Sequence, residues 1–87
     1  MRLTASVRQQ LLDQNEGFTR TTHDRQKNFT EDIKYTITGG ELHMRRTGKS
    51  SWADSRFEEN SIADVEQTRR FLRKYLDYGD LNTAGIE

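Results

Sequence analysis

An alternating segment, Phe29–Thr38, followed by two glycines, constrains the fold of this chain more than any other feature. Within it the bulky side chains occupy odd positions and polar side chains fill the even ones. This period of two is typical of a strand with one buried face. Gly39-Gly40 favours a two-residue hairpin turn, which sets the register of the next strand. The predicted cross-strand pairs are Thr38 with Glu41, Ile37 with Leu42, and Tyr35 with Met44.

Further strands are predicted on both sides of this hairpin. Residues 17–23 are rich in threonine and include one aromatic residue, which favours a short strand, and the polar residues 24–28 are expected to form a loop. The composition of residues 45–50 predicts a turn, and residues 51–57 predict the next strand. We expect the sheet to end at residues 58–60.

Two registers are open for the strand over residues 51–57, and they differ in the position of Trp52. A two-residue turn at Gly48-Lys49 leaves Trp52 on the open face of the sheet. A three-residue turn that ends in Gly48 places Trp52 opposite Leu42, on the inner face. The second register is favoured because an indole removes more apolar area from water than the neighbouring alanine does.

Periodic apolar residues predict one helix near each end of the chain. Leu3, Val7 and Leu11 recur every four residues, so a helix is expected from about residue 4 to residue 15, with Gly17 ending it. Residues 61–64 have the composition of a capping box and predict the start of a second helix, which Gly79 ends. The predicted inner side of this second helix comprises Ile62, Val65, Phe71, Leu72, Tyr75 and Leu76.

These elements predict a single small α+β domain, in the order N-terminal helix, three- or four-stranded antiparallel β-meander, C-terminal helix. We expect the domain to span residues 1–79 and residues 80–87 to form a flexible C-terminal tail. Only 31% of the 87 residues are hydrophobic, so the core must be small. A partner protein or a homodimer would supply further burial.

Charge and cysteine content narrow the range of functions that the chain can have. The 14 basic residues balance the 14 acidic ones, whereas a dedicated duplex-DNA-binding protein carries an excess of positive charge. The chain has no cysteine, which excludes disulfides and thiolate metal sites and suits a reducing cytosol. No segment reaches the roughly 18–20 apolar residues of a membrane span. We therefore expect a cytoplasmic protein without membrane contact.

No motif in the sequence predicts catalysis. Gly48-Lys49-Ser50 is similar to the end of a phosphate-binding loop, but His43 stands where that motif needs glycine. His23 and His43 lack the spaced carboxylates of a metal site. His43, Asp54 and Ser55 contain the residue types of a hydrolytic triad, but no nucleophile-elbow motif surrounds the serine. We therefore expect no enzyme activity, no catalytic residue, no metal and no cofactor.

Arginine is the more informative residue type, because its planar guanidinium makes bidentate contacts with carboxylates, phosphates and bases. One basic cluster is predicted at a hairpin end and a second along the C-terminal helix. For the helix, the alternative is a solvated surface with internal ion pairs, Glu66 with Arg70 and Arg73 with Asp77. Alternation also directs two side chains of the hairpin to the outer face of the sheet. The candidate binding residues are Lys34, His43, Arg45, Arg46, Lys49, Arg69, Arg70, Arg73 and Lys74.

Residues 40–44 and 48–57, GELHM and GKSSWADSRF, resemble segments of small accessory proteins of bacterial phages and conjugative elements. The resemblance implies a protein that acts by binding, including as an inhibitor of a CRISPR or restriction nuclease, and it implies no individual site residue. We therefore expect a non-enzymatic protein that inhibits a host protein by stoichiometric binding. The alternative is a small nucleic-acid-binding regulator that uses the arginine clusters, with weak contacts because acids balance the positive charge.

Overall fold

The computed structural model of the protein describes residues 1–50 and 55–86. Four strands form one antiparallel sheet in the order β1-β2-β3-β4, with one helix before them and one after. This confirms the predicted α+β architecture. Neither helix is long and apolar enough to cross a membrane. The elements are α1 (Ala5–Gln14), β1 (Thr19–Gln26), β2 (Phe29–Thr38), β3 (Glu41–Ser50), β4 (Ser55–Ile62) and α2 (Val65–Asp77).

The hairpin between β2 and β3 forms as predicted. Gly39 and Gly40 have φ angles of +62° and +74°. Residues other than glycine rarely adopt such angles, which make the tight two-residue turn possible. All three predicted cross-strand pairs are present. The pairing brings Ile37 and Leu42, which are fully buried, to the same face of the sheet.

Strand β3 continues well beyond the predicted turn. The turn expected at residues 45–50 is wrong, because this whole segment, including Gly48-Lys49-Ser50, pairs with β2 on one side and β4 on the other. Met44 consequently lies opposite Ser61. The predicted position of Trp52 lies outside the described residues. Neighbouring strands on both sides satisfy the backbone of a polar segment whose composition alone resembled a turn.

Strand β1 is longer than the sequence indicated. The loop predicted at residues 24–28 is wrong over its first half, because β1 continues to Gln26 and only Lys27-Asn28 form the turn. Pairing with β2 runs in register from Thr19 opposite Thr36 to Gln26 opposite Phe29. The hairpin geometry extends the strand although its side chains are mostly polar and exposed.

Helix α2 begins later than predicted, because residues 58–60 continue β4 instead of ending the sheet. Asp64 is the N-cap. Its side chain accepts a hydrogen bond from the Gln67 backbone N–H at 2.8 Å, and Gln67 Oε1 accepts one from the Asp64 N–H at 3.0 Å. The capping box predicted at residues 61–64 is therefore wrong by three positions. Ile62 and Val65, expected on the inner side, are 55% and 64% exposed.

The core lies between the two helices and the end of the sheet near the Gly39-Gly40 turn. Its buried strand residues, Ile37, Leu42 and Met44, all belong to that end. The chain extends to 49 Å along its longest axis, whereas a helix of 13 residues is only about 20 Å long. The helices are therefore too short to cover the whole length of the sheet. The remaining buried core residues are Leu3, Leu11, Leu12, Phe71, Leu72, Tyr75 and Leu81.

The segment after α2 turns back onto the core. Gly79 has a φ angle of +76° and reverses the chain, and the Asp80 N–H donates to the Tyr75 carbonyl at 3.0 Å. We expected residues 80–87 to be flexible; in the structure Leu81 is buried in the core and Ile86 packs against it. The Asn82 backbone is bonded on both its N–H and its carbonyl to the side chain of Asn15.

Candidate binding groove on helix α2

The predicted cluster at the hairpin end is divided between the two faces of the sheet. Arg45 lies on the outer face, which no helix covers, with its Nη2 3.0 Å from Oε1 of Glu58. Arg46 lies on the inner face, with its Nη2 2.6 Å from Oε2 of Glu31. Both acids come from neighbouring strands, so the nearby sequence did not reveal them. Each of these two arginines is therefore paired with a carboxylate.

The contacts of Arg46 are those of a residue that stabilises the fold. Its Nε is buried without a hydrogen-bond partner among the described residues, and its Cζ lies 5.9 Å from the ring centroid of Phe57. The hydrogen bond to Glu31, and the negative charge of that carboxylate, raise the pKa of Arg46 above its ordinary value. Because the Glu31 side chain is only 16% exposed, this pair is shielded more than an ordinary surface ion pair.

The outer face of the sheet carries the predicted Lys34 and His43. They line a shallow pocket of about 330 Å³ together with the exposed Ile62. Lys49 shares this face, because it lies four positions after Arg45 along β3 and side chains alternate between the faces of a strand. Its cross-strand neighbour is Arg56. In the described part of the chain, Lys34 and Lys49 form no ion pair.

The predicted helix cluster is brought together in one place. Arg69, Arg70, Arg73 and Lys74 are all exposed on the side of α2 that faces away from the core. They line a groove of about 630 Å³ together with Arg2, Leu3 and Glu66. Helical spacing accounts for this, because residues three and four positions apart lie on the same side of a helix.

The other wall of the groove is the N-terminal segment. Leu3 is buried in the core, and its carbonyl accepts a hydrogen bond from Nη1 of Arg8 at 2.7 Å. Nη2 of Arg73 donates to the Met1 carbonyl at 2.8 Å. These contacts hold Arg2 beside α2. Arg2 was not among the predicted binding residues; its position next to Leu3, a predicted core residue, was the only signal for it.

Among the residues that the structure describes, Glu66 is the one acidic residue lining the groove. Arg69 donates from Nη2 to both carboxylate oxygens at 2.8 Å, and Arg70 donates from Nε at 3.2 Å. The Arg69 hydrogen bond is the main cause of a lowered pKa at Glu66, and the carboxylate raises the pKa of Arg69 in return. The predicted Glu66–Arg70 pair is therefore confirmed. Arg73 contacts Met1, and within the described residues it forms no pair with Asp77.

The groove consequently has a strong excess of positive charge. Counting only described residues, five cationic side chains line it against one acid, a formal difference of +4. Arg2 and Lys74 form no ion pair within the parts of the chain that the structure describes. A groove of this kind binds anions through charge-assisted hydrogen bonds, and its arginines fit planar carboxylate or phosphate groups.

The described residues contain no group of three or more His, Asp or Glu that could hold a metal ion. His23 Nδ1 lies 2.7 Å from Asp32 Oδ1, and His43 Nε2 lies 4.0 Å from Glu41. Asp54, the acid of the triad considered above, lies outside the described residues. Comparison with protein-family models, curated proteins and solved structures found no match for the chain.

Proposed function

We propose that this protein is a small non-enzymatic binding protein that docks the groove of α2 against an acidic surface of a partner protein. The observation that supports the proposal is a groove with one acid, Glu66, in its described lining. The cations gathered around it are Arg2, Arg69, Arg70, Arg73 and Lys74. Such a groove discriminates by charge and attracts an acidic partner over a long range. Binding is stoichiometric, because one groove holds one partner surface through charge-assisted contacts.

A protein partner is favoured over a nucleic acid for two reasons. The four cations of α2 span residues 69–74, about 8 Å along the helix axis, which is short for the extended backbone contacts of a duplex-binding surface. Among the described residues, no aromatic side chain lines the groove, whereas single-strand binding sites stack bases on aromatic rings. A short acidic protein segment fits the groove better.

We propose a host protein in the cytoplasm as the partner, with a CRISPR or restriction nuclease as the first candidate to test. The resemblance of residues 40–44 and 48–57 to accessory proteins of mobile elements supports this choice. The charge of the groove also supports it, because nucleases hold their catalytic metal ions with clustered carboxylates. Occupation of such a cluster by arginine side chains would block metal binding and inhibit cleavage.

The decisive experiment is a pull-down from bacterial lysate, with and without nuclease treatment, using a matched pair of charge-reversed variants. Arg2→Glu/Lys74→Glu reverses two groove charges that form no ion pair in the described residues. Lys34→Glu/Lys49→Glu makes the same change in net charge on the outer face of the sheet. We expect the partner to remain bound after nuclease treatment, to be lost with the groove variant and to be kept with the control.

The nucleic-acid regulator is the second candidate, and the cations of the same groove favour it. Loss of all bound material after nuclease treatment would support it and contradict the first proposal. Fluorescence anisotropy with a labelled duplex and a labelled single strand then measures direct binding. We expect weak binding with a salt slope of about -3 to -4 for three or four phosphate contacts. Submicromolar, sequence-selective binding at about 150 mM salt would establish the regulator instead.

A further inference from the structure

A second depression lies on the opposite side of Arg70 and Lys74, between α2 and the inner face of the sheet. It has a volume of about 310 Å³, and its character differs from that of the cationic groove. Tyr35, Phe71 and Tyr75 contribute aromatic surface to its lining, and the ring centroids of Tyr35 and Phe71 are 4.9 Å apart. The depression therefore joins an aromatic floor to a cationic rim.

Some polar groups of this pocket lack a partner within the described residues, whereas Arg70 donates from Nε to Glu66 at 3.2 Å. Nζ of Lys74 lies 5.3 Å from the Tyr75 ring centroid and has no acidic partner within the described residues. The hydroxyl groups of Tyr35 and Tyr75 accept and donate no hydrogen bond within that same part of the chain. The Tyr75 hydroxyl nevertheless contacts solvent. A fully buried hydroxyl would be a buried polar atom without a partner, and among the described residues Arg46 Nε is the only such side-chain atom. A ligand that supplies acceptor oxygens would satisfy these groups.

We infer that this pocket binds a small carboxylate with a planar apolar body, of the aromatic monocarboxylate class. The ring would pack on the aromatic floor, and the carboxylate would accept hydrogen bonds from Lys74 and Arg70 at the rim. The volume is at the lower end of the roughly 300–1,000 Å³ of small-molecule sites. It therefore accommodates a single ring with its carboxylate.

The pocket and the groove share two side chains. Arg70 and Lys74 line both, so a bound carboxylate would neutralise charge that an acidic partner needs. The small molecule would then weaken partner binding. This consequence rests on the proposed function, whereas ligand binding by the pocket does not.

The inference is tested on the free protein by nuclear magnetic resonance, with benzoate as the probe. Benzamide serves as its neutral counterpart, and acetate as an anion without a ring. We expect saturable shifts of the Thr22, Tyr35 and Gln67 backbone amides with benzoate. We expect binding of benzamide to be at least about tenfold weaker, as loss of a charge-assisted hydrogen bond implies. Acetate should shift only amides near the cationic groove.

Two variants complete the test. Lys74→Gln removes the rim ammonium and should weaken benzoate binding at least about tenfold. Lys34→Gln makes the same change on the outer face and should leave it unchanged. Shifts that do not saturate, equal binding of benzamide, or full binding by Lys74→Gln would overturn the inference. Each of these results is independent of the pull-down, so failure of the pocket is distinguishable from failure of the proposed function.

Discussion

Gly48 on β3 and Phe57 on β4 lie opposite each other, and the ring of Phe57 occupies the space that a side chain at position 48 would need. A Cβ atom at Gly48 would lie 2.2 Å from Cε1 of that ring. The ring also stacks on Phe29 of β2, with 6.0 Å between centroids and 11° between planes. Glycine in the middle of a strand usually weakens it. Here it lets aromatic rings from β2 and β4 meet across β3.

Gly48→Ala should destabilise the protein, because the new methyl group displaces the Phe57 ring from its stack on Phe29. We expect a loss of about 1–3 kcal/mol in the free energy of unfolding, as for other overpacked sites, measured by urea denaturation. The control is the same substitution in a Phe57→Ala background, where the cost should largely disappear. An equal cost in both backgrounds would show that the ring is not the cause.

Leu72→Ala should remove much of the stability of this small domain. Leu72 is fully buried in the core, and truncation of a buried leucine costs about 2–4 kcal/mol through lost burial and the cavity left behind. Val65→Ala is the control on the same helix, because Val65 is 64% exposed and should change the free energy of unfolding by less than about 0.5 kcal/mol. Equal effects of the two substitutions would contradict the observed orientation of α2.

Asn15→Ala should release the C-terminal segment from α1. The buried Asn15 side chain donates to the Leu11 and Asn82 carbonyls at 2.8 and 3.0 Å and accepts from the Asn82 N–H at 2.8 Å. Its loss removes one buried and two partly buried hydrogen bonds, which costs about 1–3 kcal/mol. Hydrogen exchange of the Asn82 amide should accelerate. Asn82→Ala keeps both backbone groups and should be milder; the reverse order would refute this account.

Arg46→Glu should lower the melting temperature more than Arg45→Glu. The first substitution places a carboxylate opposite Glu31, whose side chain is 16% exposed, whereas the second faces Glu58, whose side chain is 50% exposed. Water screens the second repulsion more effectively. Thermal melts followed by circular dichroism compare the two variants. Similar melting temperatures would mean that the Arg46–Glu31 pair is no better shielded than the Arg45–Glu58 pair.

Removal of the Glu66 charge should lower the stability of the protein and strengthen its binding to an acidic partner. Its pKa is lowered from 4.5 by Arg69 and Arg70, so the folded state binds this proton less tightly than the unfolded state. The contribution to stability is complete above about pH 4.5 and is lost as the pH falls through the lowered value. Glu66→Gln should therefore melt slightly below the wild type at pH 7, and the difference should shrink as the pH falls through the lowered value.

The same Glu66→Gln substitution should strengthen binding of the acidic partner at pH 7, because it removes a negative charge from the groove. Titration of the purified partner against both proteins measures this change. Arg45→Gln, which removes a charge on the outer face, is the control and should leave the affinity unchanged. Weaker binding by Glu66→Gln would exclude an acidic partner in the groove.

Local patterns predicted those features that short-range physics decides. The alternation in Phe29–Thr38 and the paired glycines determine both the buried face and the register of β2 and β3, because the turn allows few alternatives. The spacing of Arg69, Arg70, Arg73 and Lys74 likewise predicted a cluster on one side of a helix. These inferences needed no knowledge of distant residues.

Other features depended on residues far away in the sequence. Residues 45–50 are polar enough to form a turn, yet they form a strand because β2 and β4 supply hydrogen bonds on both sides. Glu31 and Glu58 neutralise Arg46 and Arg45 only after the strands have paired. Helix α2 begins later than predicted because Asp64, with Gln67 three residues on, forms the capping box in place of Ser61.

The sequence by itself therefore determined the α+β order, the central hairpin with its register, and the cationic side of α2, since each depends on backbone geometry within a few residues. Only the tertiary structure decided which cations remain unpaired. Arg2 joins α2 because Leu3 is buried and Arg73 bonds to Met1, a contact between residues 72 positions apart. Charge interactions act through space over several ångströms, so a groove of this kind becomes defined only when distant segments have packed together.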